Sequence, residues 1–306
     1  MNVLITGGYG FIGSYVADLF SLEGHDVFIL DDLSKGNPSL VRCRHASMIE
    51  NIQSPVCEAF FQEHSFDIVV HLAAQTSVQH SIKDPVGDSR INVAGLVNIL
   101  HLSAKYNVKQ FVFASSAAVY GDSDEPVITE QTACNPASPY GLNKWIGECC
   151  CRQWNSMFGL NSVCLRFSNV YGPKYASHTE QSVIPVFIDR LLREEPLPVY
   201  GDGEQTRDFI YVEDISKAIY LAATHGLSGV YNVSASVPNT VNDVIDILKG
   251  LGHDLQTIRL PERAGDIKHS LLDSAKLKHA LGWEPQYALQ EGLEKTYFYL
   301  KEHLLI

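Results

Sequence analysis

The stretch "NVLITGGYGFIGSYVADLF", residues 2–20, decides the architecture. It opens on the apolar run Val3-Leu4-Ile5, as a buried strand does. From Phe11 the apolar residues recur at helical spacing. Between the two stand Gly7, Gly8, Gly10 and Gly13. A strand, then Gly7-x-x-Gly10-x-x-Gly13, then a helix is a context with a physical purpose. Glycine lets the chain turn tightly and lets backbone approach a pyrophosphate. The helix start then offers N–H groups and the positive end of its dipole to that anion. The second strand pattern, "VFILDD", ends on Asp31, eighteen residues past Gly13, with Asp32 beside it. A carboxylate there accepts hydrogen bonds from an adenosine ribose and repels a 2′-phosphate, so the pattern predicts NAD rather than NADP.

Outward from this stretch, β-rich runs alternate with helical ones. Strands are expected at 26–30, 66–74, 110–116 and 161–172, and helices at 11–24, 89–107 and 138–159. The last helix has Ser138 at its N-cap and Pro139 at its first position. Near-continuous apolar strands separated by helices predict an α/β fold, a Rossmann-type doubly wound parallel sheet covered on both faces. After about residue 170 prolines and glycines crowd in: Pro173, Pro185, Pro196, Pro198, Gly201, Gly203. The expectation is an NAD-binding domain over 1–168 and a smaller, irregular C-terminal substrate domain over 169–306. The helix-plus-strand pattern of 212–235 is expected to return to the first domain.

The composition fits a globular protein: 306 residues, 45% hydrophobic and 19% charged. A net charge of −12 argues against non-specific nucleic-acid binding. It also requires any anionic ligand to be held by local arginines or helix ends, because the global field repels it. No apolar run approaches the roughly 18 residues of a membrane span. The start Met1–Ile5 reads as a strand and has no basic region of a signal peptide. The seven cysteines have no framework spacing. Cys149-Cys150-Cys151 lie in a helical pattern, where successive side chains diverge by about 100° and cannot converge on one ion. No metal site is expected, and the cysteines read as reduced packing residues of a cytoplasmic protein.

Two stretches carry chemistry. "SPYGLNK" places Tyr140 and Lys144 four apart, on one helical face. A free phenol titrates near 10, too high for a base at neutral pH. A nearby ammonium stabilises the phenolate, as does the positive ring of an oxidised nicotinamide. "FASSAAVYG" places Ser115 and Ser116 at the C-terminal end of a strand, the edge where α/β sheets bind ligands. His71 reads as a strand-end packing residue, and His178 has no partner at useful spacing.

TGGYGFIGS, LDDLSKG, HLAA, SSAAVYG, PYGLNK, LRFSNVYGP, RDFIYVEDI and RAGDIKHSLLD together carry a resemblance. Over essentially its whole length the chain resembles an extended short-chain dehydrogenase/reductase of the NAD-dependent sugar-nucleotide epimerase/dehydratase family. The resemblance implies that Tyr140 is the base, Ser116 its hydroxyl partner and Lys144 a ligand of the cofactor ribose. It implies cofactor contacts at Gly7, Gly10, Phe11, Ile12, Gly13, Asp31, Asp32, Leu72, Ala73, Ala74, Asn92 and Ser115. Arg207 and Arg263 match the positions that clamp a nucleotide diphosphate, which suits the guanidinium fork. Asn169 matches the diphosphate side, Val199 lies in the loop stretch that frames the base, and Asp266 and Ser270 complete the implied substrate site. The family often carries tyrosines after the Asp-Pro at 84–85, where this chain has Asp88 and Ser89.

The family divides on the two residues after the hydroxyl residue. Dehydratases place Asp-Glu there, and here stand Ala117 and Ala118, which cannot move a proton. The resemblance therefore implies a 4-epimerase of UDP-hexoses acting through a transient 4-keto sugar. A 4-epimerase of a UDP-uronic acid and another sugar-nucleotide oxidoreductase remain as alternatives. Ser270, seven past Arg263, lines the sugar pocket in the resembling enzymes. A small residue there implies room for 2-N-acetyl sugars. The resemblance also implies a homodimer through the helices near 89–107 and 138–159. Their apolar positions Leu96, Ile99, Leu100, Trp145, Ile146 and Trp154 exceed what one sheet face is expected to bury.

Overall fold

The computed structural model describes residues 1–174, 182–252, 255–262 and 268–304. Arg263 and Asp266 of the expected site, and His178, lie outside the described residues.

The first half runs β1 (Asn2–Thr6), α1 (Phe11–Leu22), β2 (Asp26–Asp31), β3 (Ala46–Ile49), α2 (Cys57–Glu63), β4 (Ile68–His71), α3 (Val78–Lys83) and α4 (Pro85–Ser89). It continues with α5 (Leu96–Lys105), β5 (Gln110–Ser116), α6 (Pro139–Phe158) and β6 (Ser162–Phe167). Then come β7 (Asn169–Tyr171), α7 (Val183–Leu192), β8 (Leu197–Tyr200), β9 (Thr206–Tyr211), α8 (Val212–Thr224) and β10 (Gly229–Val233). The chain closes with β11 (Pro238–Thr240), α9 (Val241–Gly250), β12 (Thr257–Leu260), α10 (Ala275–Leu281) and α11 (Leu289–Leu304).

Seven strands form one parallel sheet in the order β10-β6-β5-β4-β1-β2-β3. Period-two alternation assigns each strand's residues to two layers. On one face Val3 and Ile5 pack with Val16 and Phe20 of α1 and with Ile215 and Ile219 of α8. On the other, Leu4, Val69 and Phe111 pack with Phe60 of α2, Leu96 and Ile99 of α5 and Cys151 of α6. Each fully buried leucine, isoleucine or phenylalanine contributes about 1.5–3 kcal/mol relative to exposure, so both helix layers are firmly held. A third core gathers Ile184, Phe187, Leu197, Phe209, Val244 and Leu248 around the small sheet β11-β9-β7 and the pair β12-β8.

Three elements differ from the sequence reading. The strand expected at 161–172 breaks at Ser168, whose N–H bonds the Val233 carbonyl at 3.1 Å. β6 therefore stays in the large sheet, and β7 leaves it to pair with β9. The helix expected at 89–107 starts earlier, at α4, with the Asp84 side chain accepting from Gly87 N–H and Pro85 in the first turn. It passes through a π-helical turn, Arg90–Gly95, into α5. The strand expected at 66–74 ends at His71, and the chain then leaves the sheet as a loop.

Leu96, Ile99 and Leu100 are fully buried within the chain, against the large sheet. They are corrected as candidates for a subunit surface, because α5 turns its apolar face inward. Trp154 is also packed against this core, whereas Trp145 is 38% exposed.

Candidate active site

β1 and β4 are adjacent, and their C-terminal ends open the crevice in which α/β sheets bind ligands. The glycine loop closes on that crevice. Gly7 has φ +68, and a Cβ there would stand 2.7 Å from the Ala73 nitrogen. A Cβ on Gly13 would collide with the Gly7 carbonyl oxygen and lie 2.7 Å from Gly8 Cα. Both positions thus require glycine for loop packing alone. Gly10 differs: a Cβ there would meet only the Gly7 oxygen, at 3.2 Å, so the loop is open above it. α1 begins at Phe11 and Ile12, both half-buried, with no side chain capping its N-terminus. An open glycine at an uncapped helix start fits a pyrophosphate.

Asp31 lies at the end of β2, 6% exposed. Its oxygens accept from Tyr9 N–H at 3.0 Å and Leu33 N–H at 2.9 Å, which orients the carboxylate and leaves further lone pairs for ribose hydroxyls. Burial raises its pKa against the pull of these two hydrogen bonds. Asp32 is exposed, and hydrogen bonds from Ser34 and Asn51 outweigh its partial burial to hold its pKa below the usual range. Leu72, Ala73 and Ala74 are half-buried on the facing loop. Asn92 lies behind the same loop. Its Oδ1 accepts from Gln75 N–H, and its Nδ2 donates to the Gln75 carbonyl and to Asp88. The side chain holds the 72–77 loop in place.

α6 enters the site at its first turn. Ser138 Oγ accepts from Gly141 N–H at 3.1 Å, as an N-cap does. A Cβ on Gly141 would collide with the Ala118 carbonyl oxygen, so the helix start lies directly on the turn after Ser116. Lys144 Nζ sits 5.8 Å from the Tyr140 ring centroid and donates to the Ala114 carbonyl at 2.8 Å. Lys144 is 5% exposed, and burial pulls its pKa down to about 8 against the carboxylates of Asp88 and Glu148. Ser116 is half-buried, and its Oγ accepts from Ala118 N–H at 3.1 Å. That bond uses the oxygen and leaves its proton for a substrate oxygen. The structure thus brings Tyr140, Lys144 and Ser116 together at the sheet edge.

Ser115 is oriented differently from Ser116. Its hydroxyl points the other way and donates to Glu148 Oε1 at 2.5 Å. Glu148 in turn pairs with Arg166, Nη2 to Oε2 at 2.6 Å, both nearly fully buried. Arg166 Nη1 donates to Tyr120 Oη, which donates to Asn232. This network ties α6 to β5, β6 and β10 beneath the reacting groups, and the sequence reading missed it. Its one signal was two charges, Glu148 and Arg166, in otherwise buried patterns. His71 is an interior residue: it bonds Thr6 Oγ1 at 2.9 Å, and burial, helped by Lys144, pulls it down to about 3.

The expected substrate side is built differently. Arg207 is half-buried at the start of β9, with Nη1 bonding the Thr206 carbonyl at 2.9 Å. Its neighbours on both sides anchor one passing segment. Thr206 N–H donates to the Lys268 carbonyl at 2.9 Å. Asp208 accepts from Leu272 N–H at 3.3 Å, and also from Ala235 and Ser236. Half-buried Ser270 sits midway between those anchors in sequence. Asn169 is half-buried at the start of β7, opposite Phe209. The Val199 side chain is fully buried in the small core, so it is the main chain there that can face a base.

The description "NAD dependent epimerase/dehydratase family" matches residues 3–234. A curated relative from Methanocaldococcus jannaschii, named putative UDP-glucose 4-epimerase, is 36% identical over 98% of this chain and 99% of its own length. The dTDP-glucose 4,6-dehydratase of Salmonella typhimurium is 32% identical over 97% of this chain and 91% of its own. The crystal structure of a Thermotoga maritima UDP-glucose 4-epimerase with UDP-glucose superposes with TM-score 0.95 at 37% identity, covering 99% of this chain and 100% of that one. A UDP-N-acetylglucosamine 4-epimerase from Methanobrevibacter ruminantium, in complex with UDP-N-acetylmuramic acid, superposes with TM-score 0.94 at 34% identity, covering 99% and 98%. With its glycine loop, Asp31, and the Tyr140, Lys144 and Ser116 cluster in place, the chain belongs to the NAD dependent epimerase/dehydratase family, as an isomerase of the extended short-chain dehydrogenase/reductase type with NAD as its cofactor.

Proposed function

We propose that the protein interconverts C4 epimers of UDP-hexoses, both UDP-N-acetylglucosamine with UDP-N-acetylgalactosamine and UDP-glucose with UDP-galactose. The observation that carries this reading is a complete Tyr140–Lys144–Ser116 cluster at a site where Ala117 and Ala118 come next after Ser116. The cluster can deprotonate one sugar hydroxyl. Nothing at 117–118 can add the second acid–base pair that elimination of water requires.

In this reading Tyr140 takes the O4 proton, Ser116 donates a hydrogen bond to O4, and the Lys144 ammonium stabilises the phenolate. The glycine loop, the start of α1 and Asp31 would hold NAD, which would supply a hydride acceptor and donor for C4. Between the two transfers the 4-keto sugar turns about its bond to the diphosphate, so the protein must grip the nucleotide and leave the sugar loose. Arg207 suits the grip, as a half-buried guanidinium beside a tethered segment. Ser270 suits the looseness, being small and on that segment. The similar UDP-N-acetylglucosamine 4-epimerase supports the acetylated pair as substrates. Incubation with each UDP-hexose in turn, without added cofactor, tests the reading by NMR. The C4 epimer is expected from UDP-N-acetylglucosamine, and a 6-deoxy product would refute it.

We further propose a homodimer. Pro85, Val86, Arg90, Val93, Ala94 and Ile146 line an open apolar groove between α4 and α6, and Leu142 and Trp145 stand exposed on α6, 43% and 38%. Such a continuous apolar face suits a second subunit. A sedimentation mass of one chain at micromolar concentration would rule this out.

A further inference from the structure

Asp88 stands where the resembling family often has tyrosine, and it is fully buried. Its Oδ1 accepts from Gln75 Nε2 at 2.6 Å and from Asn92 Nδ2 at 3.1 Å, and its Oδ2 accepts from Asn143 Nδ2 at 2.6 Å. Among the described residues its side-chain donors are three neutral amides and no cation. Such amides can solvate a carboxylate without cancelling its charge, and its field is little screened in the interior.

The amide donor on α6, Asn143, directly precedes Lys144. The groups that face Lys144 come from four elements: Asp88 from α4, Tyr140, Glu148 and Cys151 from α6, His71 from β4, and the Ala114 carbonyl and Phe113 ring from β5. Most of them offer no net negative charge. Glu148 is neutralised by Arg166 at 2.6 Å. Burial holds the Cys151 thiol well above its usual range, and His71 is neutral. Asp88 is the remaining carboxylate, and the largest of the charges that resist the downward pull of burial on Lys144.

We propose that Asp88 is the buried counter-charge of Lys144, a positioning residue that keeps the ammonium charged beside the Tyr140 phenol. The inference rests on the reading of Tyr140 and Lys144 as the acid–base pair, and it does not depend on which sugar is bound. It explains why a carboxylate with no hydrogen-bonded cation is buried one residue's contact away from the helix that carries both groups.

The direct test is the Lys144 Nζ titration, monitored by nitrogen-15 NMR on NAD-bound protein. It is run with Tyr140→Phe, so that the phenol cannot contribute, and the signal is assigned by its loss in Lys144→Met. Asp88→Asn is expected to lower the midpoint by about one pH unit or more, the size of effect a nearby opposite charge exerts in a buried site. Asp88→Ser, which leaves room for water to solvate the three amides, is expected to do the same if the asparagine variant does not fold. An unmoved midpoint overturns the proposal. In the protein that keeps Asp88, a midpoint below about 6, the range of buried lysines without a counter-charge, overturns it too. With Tyr140 present, Asp88→Asn should move both limbs of the turnover pH profile to lower pH, because removing a fixed negative charge lowers both pKa values. A packing role would reduce the rate and leave the limbs in place. The titration needs no turnover, so a wrong substrate assignment would fail in the epimerisation assay and leave this result standing.

Discussion

Around Tyr140 almost every polar group is buried and bonded. Lys144 is 5% exposed on the Ala114 carbonyl, Glu148 is locked to Arg166 and Ser115, and Asp88 is held by three amides. Around Arg207 the side chains of Arg207, Ser270 and Asn169 are half-buried on short strands or loops, and the segment carrying Ser270 is held by loop contacts, Lys268 and His269 to Thr206, Leu271 to Ile128 and Leu272 to Asp208. The difference matches two demands of the proposed reaction. Proton and hydride transfer need reacting groups fixed to within a fraction of an ångström, which rigid elements and supporting hydrogen bonds supply. A sugar that must present both faces needs anchorage at the nucleotide and free volume beyond it.

The sharpest way to break the contrast is on the rigid side. Tyr140→Phe removes the base and leaves the glycine loop and Asp31 untouched. Turnover is expected to fall by about 10³-fold or more, at the level of general-base contributions, with bound NAD retained on chromatographic assay. Near-normal turnover would show that the proton goes elsewhere.

Next in size is the support beneath. Glu148→Gln leaves the Arg166 guanidinium buried without its carboxylate partner. Removing one member of a buried pair costs about 3–5 kcal/mol. Denaturant unfolding should register a loss of about 3 kcal/mol, and a loss below about 1 kcal/mol would mean that the network is more hydrated than its burial indicates.

On the loose side the expected effect is smaller and selective. Ser270→Tyr adds bulk to the segment, and a close-packed wall does not yield to an acetamido group. The rate on UDP-N-acetylglucosamine relative to UDP-glucose should drop by about tenfold. Equal loss on both substrates would place Ser270 outside the rotating sugar's path.

The smallest effect is a slope. Burial raises the Asp208 pKa to about 7 from the ordinary 3.8, despite hydrogen bonds from Leu272, Ala235 and Ser236. Its protonated form therefore adds stability that is complete below about pH 4 and is lost as pH rises through 7. Thermal scans from pH 4 to pH 7 should show a falling contribution that Asp208→Asn abolishes. An unchanged slope would show that the three N–H donors keep this carboxylate ionised.

Legibility in the sequence divides along the same line. The placement of the glycine loop, Asp31, Tyr140, Lys144 and Ser116 was readable because each position is set within one strand–turn–helix or one helical turn. The side-chain bonds of Ser115 and Asn92 and the burial of Val199 were not legible, because the direction of a side chain is set by what packs against it. Ser115 alternates with Ser116 and so faces α6, and Asn92 meets Gln75 across seventeen positions. The Glu148–Arg166 pair joins a helix to a strand eighteen positions on, which no local spacing announces. Leu96, Ile99 and Leu100 carried the right pattern for an apolar face, and only the sheet's position shows that this face turns inward.

The central claim is that one hydrogen leaves C4 and returns to it. UDP-N-acetylglucosamine carrying deuterium at C4, incubated with the protein and no added cofactor, tests this directly by NMR and mass spectrometry. The account predicts UDP-N-acetylgalactosamine with the deuterium still at C4 and no accumulation of NADH. Deuterium lost to solvent, or found at C6 of a 4-keto-6-deoxy product, would contradict it.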